Sequence, residues 1–403
     1  MRERRASLLA ALAALYVAQG VPFGFATEYL PVMLRKANYS MTAMGAVMWL
    51  QLPWQLKVLW AGSADRTWAR MRTRGILLFA QLLLGVVISC YAIAPFADAP
   101  ILWFALTGLA ALVASTQDVF VDATAVRMLS VSDRGLGNTA QVAGYRLGML
   151  FGGAWLLLLI GTLGHRGAVL SCGAIVAATA IAAYAMRESE NDGGEVPHHE
   201  KPSFLAAIRA LFGRASWPVL ALALFFKMGI HIVTVPMKAM PVDAKWTTQQ
   251  IGLAVVIVGT SCGLAGAGIG GVLYTRISER AALALSALLQ AAVCIPLLTA
   301  NARGAPMMWT SMSIAVESFA SGMGTTVLFA ALMSATRRAD AGLHYTLLTG
   351  ANALALWLGG MAGGAIADHF GKPTAFVVAA IVCLMPIALL RDWESARAAS
   401  AGE

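Results

Sequence analysis

Charged residues are scarce in this chain, and their scarcity excludes most soluble folds. Only 12% of the 403 residues are Asp, Glu, Lys or Arg, while 59% are hydrophobic. Soluble domains usually carry about 25% charged residues. Apolar stretches of 18 residues or more recur along the whole chain, and each is long enough to cross a bilayer. The composition therefore predicts an all-α membrane protein.

Several motifs for catalysis and metal binding are also missing. The five cysteines stand singly with no CxxC pair, and the chain has neither an HExxH motif nor a Walker A motif. The neighbouring His198 and His199 lie in a polar stretch without further metal ligands. The net charge of +9 is not gathered in a basic block on a soluble domain. We therefore predict no enzyme activity, no metal, no cofactor and no nucleic-acid partner.

What the chain does contain is a series of twelve apolar stretches, which predicts twelve transmembrane helices. They lie near residues 8–34, 42–64, 73–95, 101–126, 136–162, 168–186, 215–237, 248–275, 281–300, 305–335, 343–367 and 373–390. One long polar segment separates the first six from the last six. The predicted organisation is a six-helix bundle over 1–186, a cytoplasmic linker over 187–214 and a second six-helix bundle over 215–403.

The distribution of lysine and arginine predicts the orientation of these helices. With a cytoplasmic N-terminus, the segments on the same side of the membrane hold nineteen of these residues and the opposite loops hold seven. Cytoplasmic loops normally carry the excess. We therefore expect both termini in the cytoplasm.

Apart from Arg74 at the start of the third span, seven charged residues lie within the predicted spans, where each costs at least ~2.5 kcal/mol on insertion scales. They are Lys57, Arg146, Lys227, Glu28, Asp118, Asp122 and Glu317. Charges at this depth usually face a partner or an aqueous cavity. Since three cations nearly balance four acids, we expect them to share the interior of the bundle.

Three glycine-rich stretches, GMLFGG (148–153), GTSCGLAGAGIGG (259–271) and GGMAGG (359–364), predict close packing between helices. The stretch QGVPFGF places Pro22 between two glycines and predicts an interruption in the first span.

The gate is predicted at the cytoplasmic end of spans 2 and 4. Asp118 and Asp122 are four residues apart and therefore share a helix face. Asp122 is nearer the cytoplasmic end, so we assign it to a network with Lys57, whereas a fixed ion pair is the structural alternative. The predicted gate comprises Lys57, Asp65, Arg66, Asp122 and Arg127.

Substrate contacts are predicted near the middle of the spans. Arg146 and Lys227 lie at that depth, where a cation suits an anionic solute bound between the halves, and the alternative is that each only neutralises a buried acid. His231 is one helical turn beyond Lys227 and can titrate near neutral pH. The predicted substrate contacts are Asp118, Tyr145, Arg146, Lys227 and His231.

A proton-coupling carboxylate is predicted from the surplus of acids. Glu317 has no cation close to it in the sequence. A carboxyl group in an apolar cavity can change protonation as the cavity opens. Asp118 and Glu28 are the alternative coupling residues, and the other interpretation of Glu28 is an outer gate with Arg35 or Lys36.

Several sequence stretches resemble one known family. GSADRTWARMRTR, between spans 2 and 3, is similar to the cytoplasmic loop signature of the major facilitator superfamily. YVAQGVPFGF, LPWQLKVLWAGSADR, ASTQDVFVDATAVR and GYRLGMLFGG resemble its AmpG / acetyl-CoA transporter group. The chain length is most similar to that of the RhtX/FptX-type siderophore permeases. The resemblance implies two six-helix repeats with a substrate site near the membrane midplane.

Together, these features predict a proton-coupled secondary transporter of the bacterial inner membrane. We expect it to work as a monomer in the lipid bilayer and to import an anionic or zwitterionic small solute such as a siderophore. The alternatives within transport are an AmpG-like muropeptide permease and an exporter of drugs or siderophores. An intramembrane enzyme is the alternative outside transport.

Overall fold

The computed structural model is built from helices. It describes residues 2–57, 59–60, 73–128, 134–185, 217–336, 341–391 and 393–401, and every regular element in these ranges is helical. The α-helices are α1 Arg2–Gly24, α2 Leu30–Lys36, α3 Met41–Ala46, α4 Leu52–Leu56, α5 Thr73–Ser89, α6 Pro100–Met128, α7 Arg134–Leu150, α8 Leu156–Ala178, α9 Ala180–Ala185, α10 Trp217–Phe225, α11 Met228–Asp243, α12 Thr248–Ile251, α13 Gly259–Arg276, α14 Glu279–Ala292, α15 Cys294–Ala302, α16 Met307–Ser334, α17 Ala341–Phe370, α18 Lys372–Leu384, α19 Pro386–Leu389 and α20 Trp393–Ala401. The predicted all-α fold class is confirmed.

Ten helices in the described residues are long and apolar enough to cross a membrane, against twelve predicted spans. One physical cause of the difference is a merged helix. Ala140–Tyr184 forms one 45-residue helical stretch, and Gly164 interrupts it with a φ of 67°. The predicted second span, 42–64, is described only in part: its described residues include α3, the 3₁₀ segment Val47–Gln51 and α4, whereas 58 and 61–64 lie outside the described residues.

The first span contains the interruption that its sequence indicates. Pro22 lies inside α1, and the π-helical segment Phe25–Tyr29 follows directly. A proline removes one backbone donor and clashes with the carbonyl one turn earlier. Two further π-helical segments occur in the described residues, Phe151–Trp155 and Gly252–Val258.

The chain divides into two compact units, and each includes a short segment from the other half of the sequence. Unit 1 comprises Met1–Met33, Val47–Val196 and Thr247–Val256. Unit 2 comprises Leu34–Ala46, Pro197–Trp246 and Ile257–Glu403. The predicted linker over 187–214 lies outside the described residues, so the predicted domain boundaries stay a prediction.

In unit 1, glycines bring α1 and α7 into backbone contact. A Cβ atom added at Gly148 would overlap the carbonyl oxygen of Val17, and one added at Gly20 would overlap that of Tyr145. Small residues let helix backbones approach closely in membranes. The packing role predicted for the GMLFGG stretch is therefore confirmed.

Unit 2 repeats this kind of packing in two other helix pairs. Gly266 of α13 lies against the backbone of Phe319 in α16, and Gly363 of α17 lies against that of Ile232 in α11. An added Cβ would overlap a carbonyl oxygen at both glycines. The packing role predicted for the two glycine-rich stretches 259–271 and 359–364 is confirmed as well.

Candidate functional site

Lys57 lies at the C-terminal end of α4 and contacts both predicted aspartates. Its Nζ atom bonds Oδ2 of Asp118 and lies 3.8 Å from Oδ2 of Asp122. The Asp118 side chain is 5% exposed and that of Asp122 is 42% exposed. The expected shared face of the two acids is confirmed, but the closer partner of Lys57 is Asp118, to which the sequence assigned substrate or proton handling.

Two residues that sequence reasoning missed complete this network. The Tyr16 hydroxyl donates to Oδ1 of Asp122 at 2.8 Å, and the Gln141 amide donates to the same oxygen at 3.5 Å. Helices α1, α4, α6 and α7 therefore meet at one group of polar side chains in unit 1. In the sequence, the only indication of either residue was a polar side chain inside a predicted span.

Three of the predicted gate residues receive no side-chain placement. Asp65 and Arg66 lie outside the described residues. The backbone of Arg127 belongs to α6, but its side chain is not described. Their assignment to the gate stays a prediction.

Arg146 lies on α7 beside an aromatic group. Its neighbour Tyr145 packs against Phe23 and Trp54, with ring centroids 5.6 and 6.2 Å apart. Nζ of Lys57 lies 5.9 Å from the centre of the same Trp54 ring. Within the described part of the chain, the Arg146 guanidinium has neither a hydrogen-bond nor an ion-pair partner. It is therefore a half-buried cation available to an external anion.

Lys227, in unit 2, occupies the break between α10 and α11. Its side chain is almost fully buried, and Nζ donates to the Ser321 carbonyl and hydroxyl oxygens at 2.8 Å each and to the Thr325 hydroxyl at 3.0 Å. An ammonium group has three donors. All three have partners on α16, which does not favour the predicted direct contact between Lys227 and substrate.

Glu317 lies one turn before Ser321 on α16 and is 7% exposed. The Ser318 hydroxyl donates to its Oε2 atom at 3.2 Å. Lys227 lies within electrostatic range of Glu317. The acid that has no neighbouring cation in the sequence therefore has one in space, ninety residues away along the chain.

His231 follows Lys227 by one helical turn. Its backbone N–H donates to the Lys227 carbonyl at 3.0 Å, and its Cβ atom lies against Gly359 of α17. The ring atom Nε2 is buried and has no hydrogen-bond partner among the described residues. A buried nitrogen of this kind is a candidate for a ligand contact.

Glu28 belongs to the π-helical segment of the first span. A Cβ atom added at Gly153, in the second π-helical segment, would lie 2.8 Å from Cβ of Glu28 and 3.5 Å from Val256. π-helical turns occur frequently at functional sites. The placement is compatible with the predicted role of Glu28 in coupling and does not distinguish it from Glu317.

One catalytic pattern escaped the sequence survey. Residues Gly259–Gly263 fit the G-x-S-x-G pattern of a nucleophile elbow, which requires a strand-to-helix turn. Here the stretch lies inside α13, with Ser261 exposed and Gly263 packed near Ser318 of α16. The pattern therefore serves helix packing.

Two family models match different parts of this sequence. Residues 219–401 match the model described as Major Facilitator Superfamily, and residues 8–160 match the model described as Acetyl-coenzyme A transporter 1. The chain is therefore similar to the major facilitator superfamily in its second half and to the acetyl-CoA transporters in its first half. It is therefore a membrane transporter and not an enzyme, as predicted.

Relatives and solved structures give the same indication. The anhydromuropeptide permease of Escherichia coli (strain K12) is 26% identical over 363 residues, which cover 87% of this chain and 73% of the permease. The putative transporter AmpG 4 of Rickettsia conorii is 22% identical and covers 93% of both chains. The crystal structure of a D-xylose-proton symporter matches with a TM-score of 0.70 at 13% identity, covering 96% of this chain and 97% of that one. The structural match shows the fold.

Proposed function

We propose that this transporter imports an anionic cell-wall fragment of the anhydromuropeptide class, driven by protons, across the bacterial inner membrane. The single observation that carries the proposal for an anion is the Arg146 guanidinium, which has no partner in the described part of the chain. The substrate class follows from the relative that is 26% identical across most of this chain. Both termini are predicted to be cytoplasmic.

The choice between muropeptide and siderophore rests on relatives. The siderophore expectation came from chain length, and neither relative described above is named as a siderophore permease. The muropeptide alternative has a relative of that name at 87% coverage. We therefore place the muropeptide first.

Arg146 is proposed as the group that binds the solute carboxylate. A guanidinium can hold a carboxylate through two parallel hydrogen bonds, and the contact strengthens where water is partly excluded. The adjacent Tyr145 and Trp54 rings offer apolar surface for the rest of the solute. His231 remains a proposed contact because of its buried, unpartnered Nε2 atom.

Lys227 and Glu317 are proposed as the proton-coupling pair. A buried ammonium held by neutral oxygens keeps its hydrogen bonds whether or not Glu317 is protonated, but its net electrostatic environment changes. Binding of a proton to Glu317 would thus alter the charge of unit 2 without removing the lysine contacts. Asp118 and Glu28 are the alternative coupling sites.

The network of Lys57, Asp118, Asp122 and Tyr16 is proposed as a gate. It joins four helices of unit 1 through contacts that are partly exposed to solvent. Contacts of this kind can exchange with water when the helices separate. Asp65, Arg66 and Arg127 are proposed to extend the gate.

Reconstituted protein tests this proposal directly. Labelled anhydromuropeptide uptake into proteoliposomes should be saturable, should require an imposed proton gradient and should collapse with a protonophore. Arg146→Gln should weaken binding by ~1.5–3 kcal/mol, the range for charged hydrogen bonds, and Arg146→Lys should restore only part of the affinity. Arg74→Gln is the matched control, because the Arg74 guanidinium stacks on the Tyr184 ring at 3.9 Å and is not proposed to bind the solute.

Two outcomes would contradict the proposal. Concentrative uptake that persists with a protonophore would exclude proton coupling. Equal affinities for wild type and a well-folded Arg146→Gln variant would remove the argument for an anionic solute.

Glu317→Gln should abolish accumulation while solute exchange persists, and loss of both would assign Glu317 a structural role.

A further inference from the structure

A cavity of about 420 Å³ opens where the first and seventh predicted spans end, and we call it the vestibule. It is lined by Arg35, Lys36, Asn38, Val242, Asp243, Lys245 and Trp246, all in unit 2. The charge distribution predicts that this end faces away from the cytoplasm. Cavities of 300–1,000 Å³ are typical of small-molecule sites. None of the candidate sites described above includes it.

The vestibule holds more positive than negative charge. Arg35 forms a two-point pair with Asp243, with Nε–Oδ1 at 2.6 Å and Nη2–Oδ2 at 3.0 Å. Lys372 also bonds Oδ2 of Asp243, so a single carboxylate serves two cations. Lys36 and Lys245 line the cavity in addition, and the Lys245 side chain has no ionic or hydrogen-bond partner in the described ranges.

The second acid in this region is already used. Asp368 of α17 accepts hydrogen bonds from the backbone N–H groups of Met41 and Thr42 at 3.0 and 2.8 Å, and from the Thr42 hydroxyl at 2.7 Å. It therefore caps the start of α3. Asp368 is therefore not available to neutralise Lys245, whose charge can bind a ligand.

The backbone conformation at Lys245 is a second observation that favours a ligand site at the vestibule. Its φ is 60°, in the left-handed region, and a bond from the Trp246 N–H to the Pro241 carbonyl closes α11. Helices very commonly end on such a residue, which is usually glycine because a side chain is disfavoured there. A lysine at this position carries a conformational cost, and the charge that it brings lies at the vestibule.

We propose that the vestibule is an anion-recognition site, where Lys36 and Lys245 bind a carboxylate of the incoming solute and Arg35 exchanges Asp243 for that carboxylate. This proposal rests on the proposed transport of an anionic solute. Loss of the Arg35–Asp243 pair would remove one contact between α2 and α11. The proposed ligand chemistry is a carboxylate on a soluble molecule; a lipid headgroup is tested as an alternative source of the anion.

Lys245→Gly removes the charge without a penalty for folding, because glycine adopts the left-handed backbone conformation without steric cost. Ala305→Gly is the matched control: Ala305 has a φ of 55°, carries no charge, and accepts a hydrogen bond from the Trp246 indole at 3.3 Å. In proteoliposomes at low salt, Lys245→Gly should raise the KM for labelled anhydromuropeptide about threefold or more, with kcat unchanged. Ala305→Gly should leave both unchanged. An unchanged KM in Lys245→Gly would overturn the proposal.

A labelling experiment distinguishes failure of this proposal from failure of the proposed function. A cysteine introduced by Asn38→Cys lines the vestibule, and its modification by sulfonate-bearing and ammonium-bearing methanethiosulfonates reports the local charge without transport. Adding Lys245→Gly should slow the first reagent and speed the second, each about threefold. Equal rates of modification by the two reagents, both with and without Lys245→Gly, would refute a cationic vestibule even if uptake is normal.

Protection of the introduced cysteine identifies the occupant. Anhydromuropeptide should slow its modification in vesicles of purely zwitterionic lipid. Protection that requires anionic lipid and not the solute would assign the vestibule to headgroups and overturn the proposal. If the wild type takes up no anhydromuropeptide but citrate still protects the cysteine, the proposed substrate is wrong while carboxylate recognition stands.

Discussion

Lys57 and Lys227 both lie at helix interruptions inside apolar sequence, but they are satisfied in opposite ways. Lys57 has 32% of its side chain exposed and pairs with carboxylates. Lys227 is 2% exposed and donates to one carbonyl and two hydroxyl oxygens. The first ammonium is neutralised by its direct partners, whereas the second is solvated by neutral groups and has Glu317 within electrostatic range.

The difference indicates which contact can break during a transport cycle. Water can replace the contact between Lys57 and Asp122, whose side chain is 42% exposed, at low cost, because solvent-exposed ion pairs contribute little net free energy. An almost fully buried ammonium cannot lose its partners without an uncompensated charge, which costs several kcal/mol. Lys57 therefore suits a gate that opens and closes, and Lys227 suits a site whose contacts persist while a nearby proton comes and goes.

The largest expected effect comes from removing the buried ammonium. Lys227→Met should lower the free energy of unfolding by about 3–5 kcal/mol, the usual result of removing one partner from a buried charge pair. Thermal unfolding in detergent measures this change. Lys227→Met/Glu317→Gln should recover most of the loss, since it removes both charges. A single variant as stable as wild type would mean that Lys227 and Glu317 are not energetically linked.

A smaller effect on stability, with a larger one on transport, is expected at Lys57. Lys57→Ala removes the cation from the buried Asp118, so the free energy of unfolding should fall by ~1.5–3 kcal/mol. Initial uptake should fall at least tenfold. Lys57→Ala/Asp118→Asn should regain stability without regaining transport. Normal uptake by Lys57→Ala would exclude the gate.

The smallest expected effect comes from Tyr16. Tyr16→Phe removes one hydrogen bond to the half-exposed Asp122 and should cost ~0.5–1.5 kcal/mol of stability. Uptake should fall only a few-fold, measured as an initial rate. Tyr184→Phe is the control, since Tyr184 is exposed in the same unit. If Tyr16→Phe destabilises the protein more than Lys57→Ala does, the hydroxyl rather than the ammonium organises the network.

Local sequence patterns were enough to predict the fold class and part of the site. The i, i+4 spacing of Asp118 and Asp122 placed both acids on one helix face, and Lys57 reaches both. The proline at position 22 indicated an interrupted first span, and a π-helical segment follows it. These features depend on residues within a turn or two of each other.

The rest depended on contacts that no local pattern encodes. Tyr16 meets Asp122 across 106 residues, and Arg35 meets Asp243 across 208. The partners of Lys227 are neutral hydroxyl and carbonyl groups, so a search for opposite charges does not find them. The spans were predicted from hydropathy alone, which cannot show the 3₁₀ segment Val47–Gln51 between α3 and α4.

The π-helical turn at Phe25–Tyr29 has a consequence for how this transporter can evolve. A π turn closes over one residue more than an α turn, so deletion of one residue there would restore a regular α-helix. Because the wide turn absorbs the extra residue, side chains on either side would keep their direction, and only those within the segment would turn. A single-codon deletion could thus re-aim Glu28 while leaving the backbone of the span hydrogen-bonded. Natural variants that differ in length at this position would be the first place to look for altered coupling or substrate range.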